Sequence, residues 1–438
     1  MAYAIQPKEG EELNRLYAED LPVHEWYRFV LSFPPHLVRH YIAKFGLSRH
    51  HWVLDPFCGT GTTLVECKKN GIPSVGLEAN PVVHFAAQTK TNWNVDPDEL
   101  VAHAERVGRE TCRTLTEEGI EDDPLFKPLT PSQGAKLRHL DEEATSLFIR
   151  NSISPKPLHK ALTLVEKLNE ISDERFAAYE KLALAKQLVY SIGNLRFGPE
   201  VGVGKAKEDS PVVAPWLRGV KEIAADLQHS LMKERRHVPA LVKLADARRI
   251  DPSLEPLAFD AVITSPPYPN EKDYTRTTRL EAVILGFMNS RDDLRQQKQN
   301  LLRSNTRAVY KTDADERWIE ANQCVQKLAE RIETRRMELG KTSGFEKLYA
   351  RVVRLYFGGM ARHLEELKQV LVPGAQLAYV VGDQASFFRI LIRTGELLAV
   401  IAEDLGYEVT GVDLFRTRFS TATQEYLREE VVLLRWKG

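Results

Sequence analysis

Short runs of apolar residues recur along the chain, most of them followed by a polar or glycine-rich turn. Residues 52–55, 74–77, 259–263, 376–381, 409–413 and 431–436 read as strands on this basis. Between them, Leu37–Phe45, Met360–Val370 and Gly395–Leu405 place apolar residues three and four apart, the spacing of helices with one buried face. That alternation predicts a doubly wound α/β sheet. Two stretches interrupt it. Residues 96–239 are mostly helix-patterned, with apolar periodicity in Leu158–Ile171, Ala177–Val189 and Val220–Met232. Residues 281–349 form a second helix-rich, charge-dense stretch. The expected organisation is a sheet domain built from 1–95, 240–280 and 350–438, carrying helical insertions at 96–239 and 281–349.

Two turns at strand ends carry candidate chemistry. The run His51-Trp52-Val53-Leu54 enters Asp55-Pro56-Phe57-Cys58-Gly59-Thr60-Gly61-Thr62-Thr63, and helical spacing follows until Asn70-Gly71. Gly59 and Gly61 let the backbone approach a ligand, and the helix start offers free N–H groups to an anionic group. The next strand, Ser74–Leu77, ends in Glu78, where a nucleotide-binding fold places its ribose-binding acid. The turn lacks the third glycine of the nicotinamide fingerprint, and Asp-Pro-Phe is foreign to it.

The second turn, Thr264-Ser265-Pro266-Pro267-Tyr268, follows the apolar run Phe259–Ile263. Its two prolines fix φ and carry no N–H, so nearby carbonyls are held as acceptors. Tyr268 adds a ring face. Such a turn suits a planar amine, whose hydrogens meet oxygens while the ring stacks.

Together these residues resemble the amino-methyltransferases that use S-adenosylmethionine to methylate exocyclic amines of DNA bases. Asp55–Thr62 is similar to that family's cofactor motif, and Ser265-Pro266-Pro267-Tyr268 to its catalytic motif. Phe33-Pro34-Pro35-His36-Leu37 resembles the segment covering the methionine end of the cofactor. Asp246, 19 residues before Ser265, stands where an acid would contact the adenine amino group. Pro373–Asp383 resembles the turn and strand after the catalytic motif. The resemblance covers roughly residues 24–95, 240–280 and 350–438. It implies a Rossmann-like methyltransferase fold. Phe33, Pro34, Asp55, Pro56, Phe57, Gly59, Gly61, Thr62, Glu78 and Asp246 would bind cofactor, and Ser265, Pro266, Pro267 and Tyr268 would hold a flipped base. It also implies double-stranded DNA as substrate, a restriction-modification or epigenetic role, and a cognate restriction endonuclease as candidate partner. Serine at the first motif position points to cytosine N4, with adenine N6 as the alternative. An RNA-methylating relative and an inactive binding module are further alternatives.

Composition changes this picture little. The 438 residues are 43% hydrophobic and 28% charged with net charge −1, so a nucleic-acid contact must come from a local basic surface. Candidates are Lys205 and Lys207, in a glycine-punctuated loop spanning Gly193–Pro199 and Gly202–Lys207, and Arg276 and Arg279, three apart just after the catalytic turn. The cysteines Cys58, Cys67, Cys112 and Cys324 show no paired or zinc-type spacing, so a reducing compartment and no metal are expected. Carbon-5 methylation needs a cysteine nucleophile, and none of the four is suitably placed. His36 and His40 have i,i+4 spacing but read as ordinary helix residues. No apolar run approaches about 18 residues, so a soluble cytoplasmic protein without membrane contact is expected.

Overall fold

The computed structural model describes residues 16–28, 32–123, 136–197, 201–250, 254, 258–270, 272–420 and 423–438. Its centre is a seven-stranded sheet: β1 (Val53–Asp55), β2 (Ser74–Glu78), β3 (Ala240–Leu244), β4 (Phe259–Thr264), β5 (Leu371–Gly382), β6 (Glu408–Ser420) and β7 (Glu425–Arg435). The spatial order is β3-β2-β1-β4-β5-β7-β6. The first five strands in that order run parallel, and β7 lies antiparallel between β5 and β6. The chain reverses direction across the sheet between β1 and β4. In such folds, ligands bind beyond the carboxyl ends of the strands at that point.

Burial explains the strands that the apolar runs predict. β1 is buried throughout, and β2 and β4 each have one partly exposed position. That near-continuous apolar pattern suits parallel strands covered on both faces. β3 is the exception, since no strand was expected there. It is an edge strand whose Leu241 and Leu244 are exposed, so its side chains give no clear pattern. Pro373-Gly374, expected as a turn before the strand, lies inside β5. There Leu371 pairs with Phe259 and Gln376 with Ala261, so the extra residues bulge out.

The helical insertions match their periodicity with two differences. The pattern over Val220–Met232 is two helices, Val213–Gln228 and Ser230–Arg235, broken at His229, whose backbone is extended. Helix Ala177–Gln187 continues as a π turn over Leu188–Ile192. In the first insertion, Trp216 is fully buried and donates Nε1–H to the Glu180 carbonyl at 2.9 Å. Its apolar core includes Val65 and Ala86 from helices beside the sheet, and Leu280 and Ile284 from beyond the catalytic turn. Trp26 and Tyr27 belong to the same core. Trp26 donates to Asp226 at 2.7 Å, and Tyr27 to Glu281 at 2.5 Å. Gly198 and Pro199 of the glycine-punctuated loop lie outside the described residues.

A buried ion cluster ties the N-terminal segment to the helix Thr62–Lys69. Glu66 bonds His24 at 2.8 Å, Arg39 at 2.8 Å and Lys69 at 3.2 Å, while Arg39 also reaches Asp20 at 2.6 Å. Burial raises the Glu66 carboxyl, but the His24 hydrogen bond and the charges of Lys69, His24 and Arg39 outweigh it and hold the group at about 2. Burial lowers His24 to about 4, so it is neutral at pH 7. A carboxyl whose folded value is depressed stabilises above its unfolded value, and that stability fades as pH falls towards the folded one. Glu66→Gln should therefore cost about 3 kcal/mol in urea unfolding at pH 7. The gap from the parent should narrow below pH 4.5, and a constant gap down to pH 3 would refute the assignment.

Candidate functional site

The two turns meet at the carboxyl edge of neighbouring strands β1 and β4. Thr264 donates its hydroxyl to Asp55 Oδ1 at 2.6 Å, and Thr63 donates to the Ile263 carbonyl at 3.1 Å. Asp55 Oδ1 also accepts the Phe57 N–H at 3.2 Å, which shapes the first turn. Gly59 and Gly61 both have positive φ, at 52° and 83°. Gly61 caps the helix start, and a Cβ there would come within 3.3 Å of Ala87 Cβ.

A single cavity of about 660 Å³ is lined by residues of both turns. On the first side it meets Phe33, Pro56, Phe57, Gly59, Thr62, Glu78 and Asp246; on the second, Ser265, Pro266, Pro267 and Tyr268. Pro34, Asp55 and Gly61 stand off the wall. Asp55 is fully buried, and burial raises it to about 6 despite bonds from the Thr264 hydroxyl and the Phe57 N–H. Its Oδ2 is buried without a hydrogen-bond partner.

The two remaining acids end adjacent strands. Glu78 accepts the Asn80 N–H at 2.7 Å, and its carbonyl accepts the Ala245 N–H at 3.0 Å. Burial raises its carboxyl to about 7, against backbone bonds from Asn80, Gly59 and Ala79. Asp246 accepts from Arg248 Nε at 2.9 Å and Nη2 at 2.8 Å. The loop that follows β3 and carries Asp246 is held from behind. His363 Nδ1 lies 2.7 Å from the Ala247 carbonyl, and its Nε2 2.7 Å from the Tyr379 hydroxyl. The first contact makes Nδ1 the protonated nitrogen, and Nε2 then accepts from Tyr379. Phe57 packs edge-on against the same imidazole, with centroids 5.0 Å apart.

At the other end, Ser265 donates its hydroxyl to the Val380 carbonyl at 3.2 Å. Tyr268 is fixed through its backbone: its N–H meets the Tyr274 hydroxyl at 3.3 Å and its carbonyl accepts from the Asn270 N–H at 2.8 Å. Its ring lies against Gly382, where a Cβ would come within 2.8 Å of Cε2. Only glycine leaves room for the ring there.

The four expected DNA-contacting cations stand off the cavity wall. Arg279 spends its guanidinium on the Thr275 carbonyl and hydroxyl and the Leu147 carbonyl. Lys207 donates to the carbonyls of Ser191 and Gly193 at 2.5 and 2.7 Å. Both side chains are thereby engaged with groups of the protein itself. The helix carrying Arg276 and Arg279 is broken at Thr278, so the two do not share one continuous face. Lys205 is exposed.

Other wall residues carried no motif. Asn300, Ser304 and Asn305 come from the second insertion, while Arg416, Arg418 and Glu429 come from the β6–β7 hairpin. A polar run after a charged helix was the only signal for the first group. The arginines alternate at 416 and 418 along a strand, a pattern that charge counting overlooks. Cys58 lines the cavity, but burial pushes its thiol well above the usual range, so it is protonated and a poor nucleophile. Among the described residues, no three His, Cys, Asp or Glu side chains gather as a metal-ligand group, and no helix is long and apolar enough to cross a membrane.

Comparison with known proteins agrees with this geometry. A family model for N6/N4 enzymes, described as DNA methylase, matches residues 4–88. The Type II methyltransferase M.BsoBI of Geobacillus stearothermophilus is 28% identical over 463 positions, spanning 98% of this chain and 88% of that protein. M.AvaI of Nostoc, also a Type II methyltransferase, is 24% identical over 92% of this chain and 83% of its own length. The solved structure of TrmN from Thermus thermophilus aligns over 92% of this chain and 48% of that one, at 11% identity and a TM-score of 0.27, too weak a likeness to bear on the fold. The family match and the two Type II relatives together support an amino-methyltransferase of the N4/N6 type.

Proposed function

We propose that the protein methylates the exocyclic N4 amine of cytosine at a specific site in double-stranded DNA, as the modification partner of a restriction endonuclease. The observation that carries this reading is the shared cavity, lined by the glycine turn at one end and by Ser265, Pro266 and Tyr268 at the other. The preference for cytosine rests on Ser265 at the first motif position.

The residues present fit the cofactor. Glu78 would accept the ribose hydroxyls and Asp246 the adenine amine, with Phe33, Pro56, Phe57, Gly59 and Thr62 enclosing the rest. Asp55, whose Oδ2 has no partner, lies one residue behind Pro56 and would offset the methionine ammonium. When bound, S-adenosylmethionine supplies an electrophilic methyl carbon whose leaving group departs neutral, so no acid is required. The protein's task is to make the amine nucleophilic and hold it in line. Ser265 Oγ and the Pro266 carbonyl would accept the two amine hydrogens, drawing the nitrogen lone pair out of conjugation. Tyr268 would stack on the extruded base. In-line placement of this kind contributes roughly 7–11 kcal/mol. The surplus proton leaves to water, directly or relayed through the Ser265 hydroxyl. Phosphate contact is assigned to Lys205 and Arg276 among the four expected cations.

Mass spectrometry of nucleosides from DNA incubated with enzyme and S-adenosylmethionine tests the reading. N4-methylcytosine is expected; N6-methyladenine would overturn the base assignment, and no product on any DNA the function itself. Tyr268→Ala should lower turnover on duplex about 10- to 100-fold, the equivalent of about 1–3 kcal/mol of stacking. Tyr268→Phe should stay near the parent. Equal activity of the Ala variant would exclude base stacking by this ring.

Ionised Glu78 is the form that accepts ribose hydroxyls, so protons compete with cofactor. Affinity measured by calorimetry should fall as pH drops through about 7, with Asp55 adding to the decline below about 6. Glu78→Gln should bind more weakly and lose the step near pH 7. A step that persists in that variant would assign it to another group.

A further inference from the structure

The β6–β7 hairpin extends past the sheet. β7 pairs with β5 only from Glu429 onward, while its pairing with β6 begins at Glu425. Residues 425–428 therefore overhang the carboxyl edge of β5, by about 13 Å at strand rise. This is the edge at which the cavity lies. The turn is closed by the Gln424 N–H donating to the Ser420 carbonyl at 2.8 Å.

The overhang carries an unusual surface. Phe419 and Tyr426 face each other across the strands, with ring centroids 5.4 Å apart, and are 50% and 65% exposed. Two large rings left in water at a hairpin tip cost stability and call for a partner. The neighbouring positions say which kind. Arg416 and Arg418, on the same strand, line the cavity. Arg416 is paired with Glu429 at 2.5 Å, while the contacts of exposed Arg418 among the described residues are long, 3.3 Å to the Asp383 carbonyl and 3.5 Å to Gln384 Oε1. The hairpin thus carries its cations on the face that lines the cavity and the ring pair on the opposite face, one residue nearer the tip.

We infer that Phe419 and Tyr426 form a wedge that enters the DNA duplex at the target pair, filling the gap left when the base swings towards Tyr268. This inference rests on DNA being the substrate. Inserted apolar side chains offset lost stacking in other DNA-distorting proteins. A base must leave the stack for its amine to be reached, and that cost is least where pairing is already broken. Arg418 would then hold a phosphate flanking the extruded nucleotide.

The test uses the full-length Phe419→Ala/Tyr426→Ala double variant on two duplexes, one with the target base correctly paired and one with it mispaired. Single-turnover methylation of the paired duplex should fall about tenfold or more. The mispaired duplex should be methylated within about threefold of the parent rate, with cofactor affinity unchanged. Equal loss on both duplexes, or no loss on either, would overturn the wedge. So would a dimeric parent that becomes monomeric in the variant without the substrate-dependent loss, because the rings would then be covered by a second copy. A parent that methylates neither duplex would instead sink the functional reading.

Discussion

The hydrogen bond from Thr264 to Asp55 is the constraint on which the site depends. It links the last residue of β1 to the last residue of β4, so the turn that would hold cofactor and the turn that would hold the base leave the sheet in fixed relation. Thr63 repeats the link from the helix side, through the Ile263 carbonyl. Neither bond is exposed to competition from water, because Asp55, Thr63 and Thr264 are all buried. A methyl transfer tolerates little error in distance or angle, and parallel strands cross-tied at their ends are a stiff way to supply that accuracy.

Further supports surround this tie. His363 connects Tyr379 on β5 to the Ala247 carbonyl and touches Phe57, so one buried imidazole braces the sheet, the acid loop and the glycine turn together. Burial lowers its basicity to about 4, which keeps it neutral and able to donate at one nitrogen while accepting at the other. The Glu66 cluster does the same for the segment leading into Phe33, anchoring it on the helix that follows the glycine turn. Each support is a buried polar group whose partners come from distant parts of the chain.

That distance also explains what the sequence could and could not show. The central strands were legible because parallel strands covered on both faces read as apolar runs, as in Val53-Leu54 and Ala261-Val262-Ile263. Edge strand β3 was not, since solvent on one side leaves Leu241 and Leu244 exposed and the pattern mixed. Motif residues with special backbone needs, such as Gly59 and Gly61, announced themselves. Cations did not: Arg279 and Lys207 look identical in sequence to phosphate ligands, and only the fold shows their charges spent on carbonyls. Nor could spacing reveal that residues from the second insertion and the last hairpin complete the cavity wall, because long-range packing decides it.

The seam between the first insertion and the sheet has a consequence for modularity. Val65 and Ala86 on one side, and Leu280 and Ile284 on the other, are packed into the same apolar interior as the insertion's own helices. Residues 96–239 are therefore no detachable cassette. A transplanted substitute would have to reproduce that interlocking surface before it could seat on the sheet at all.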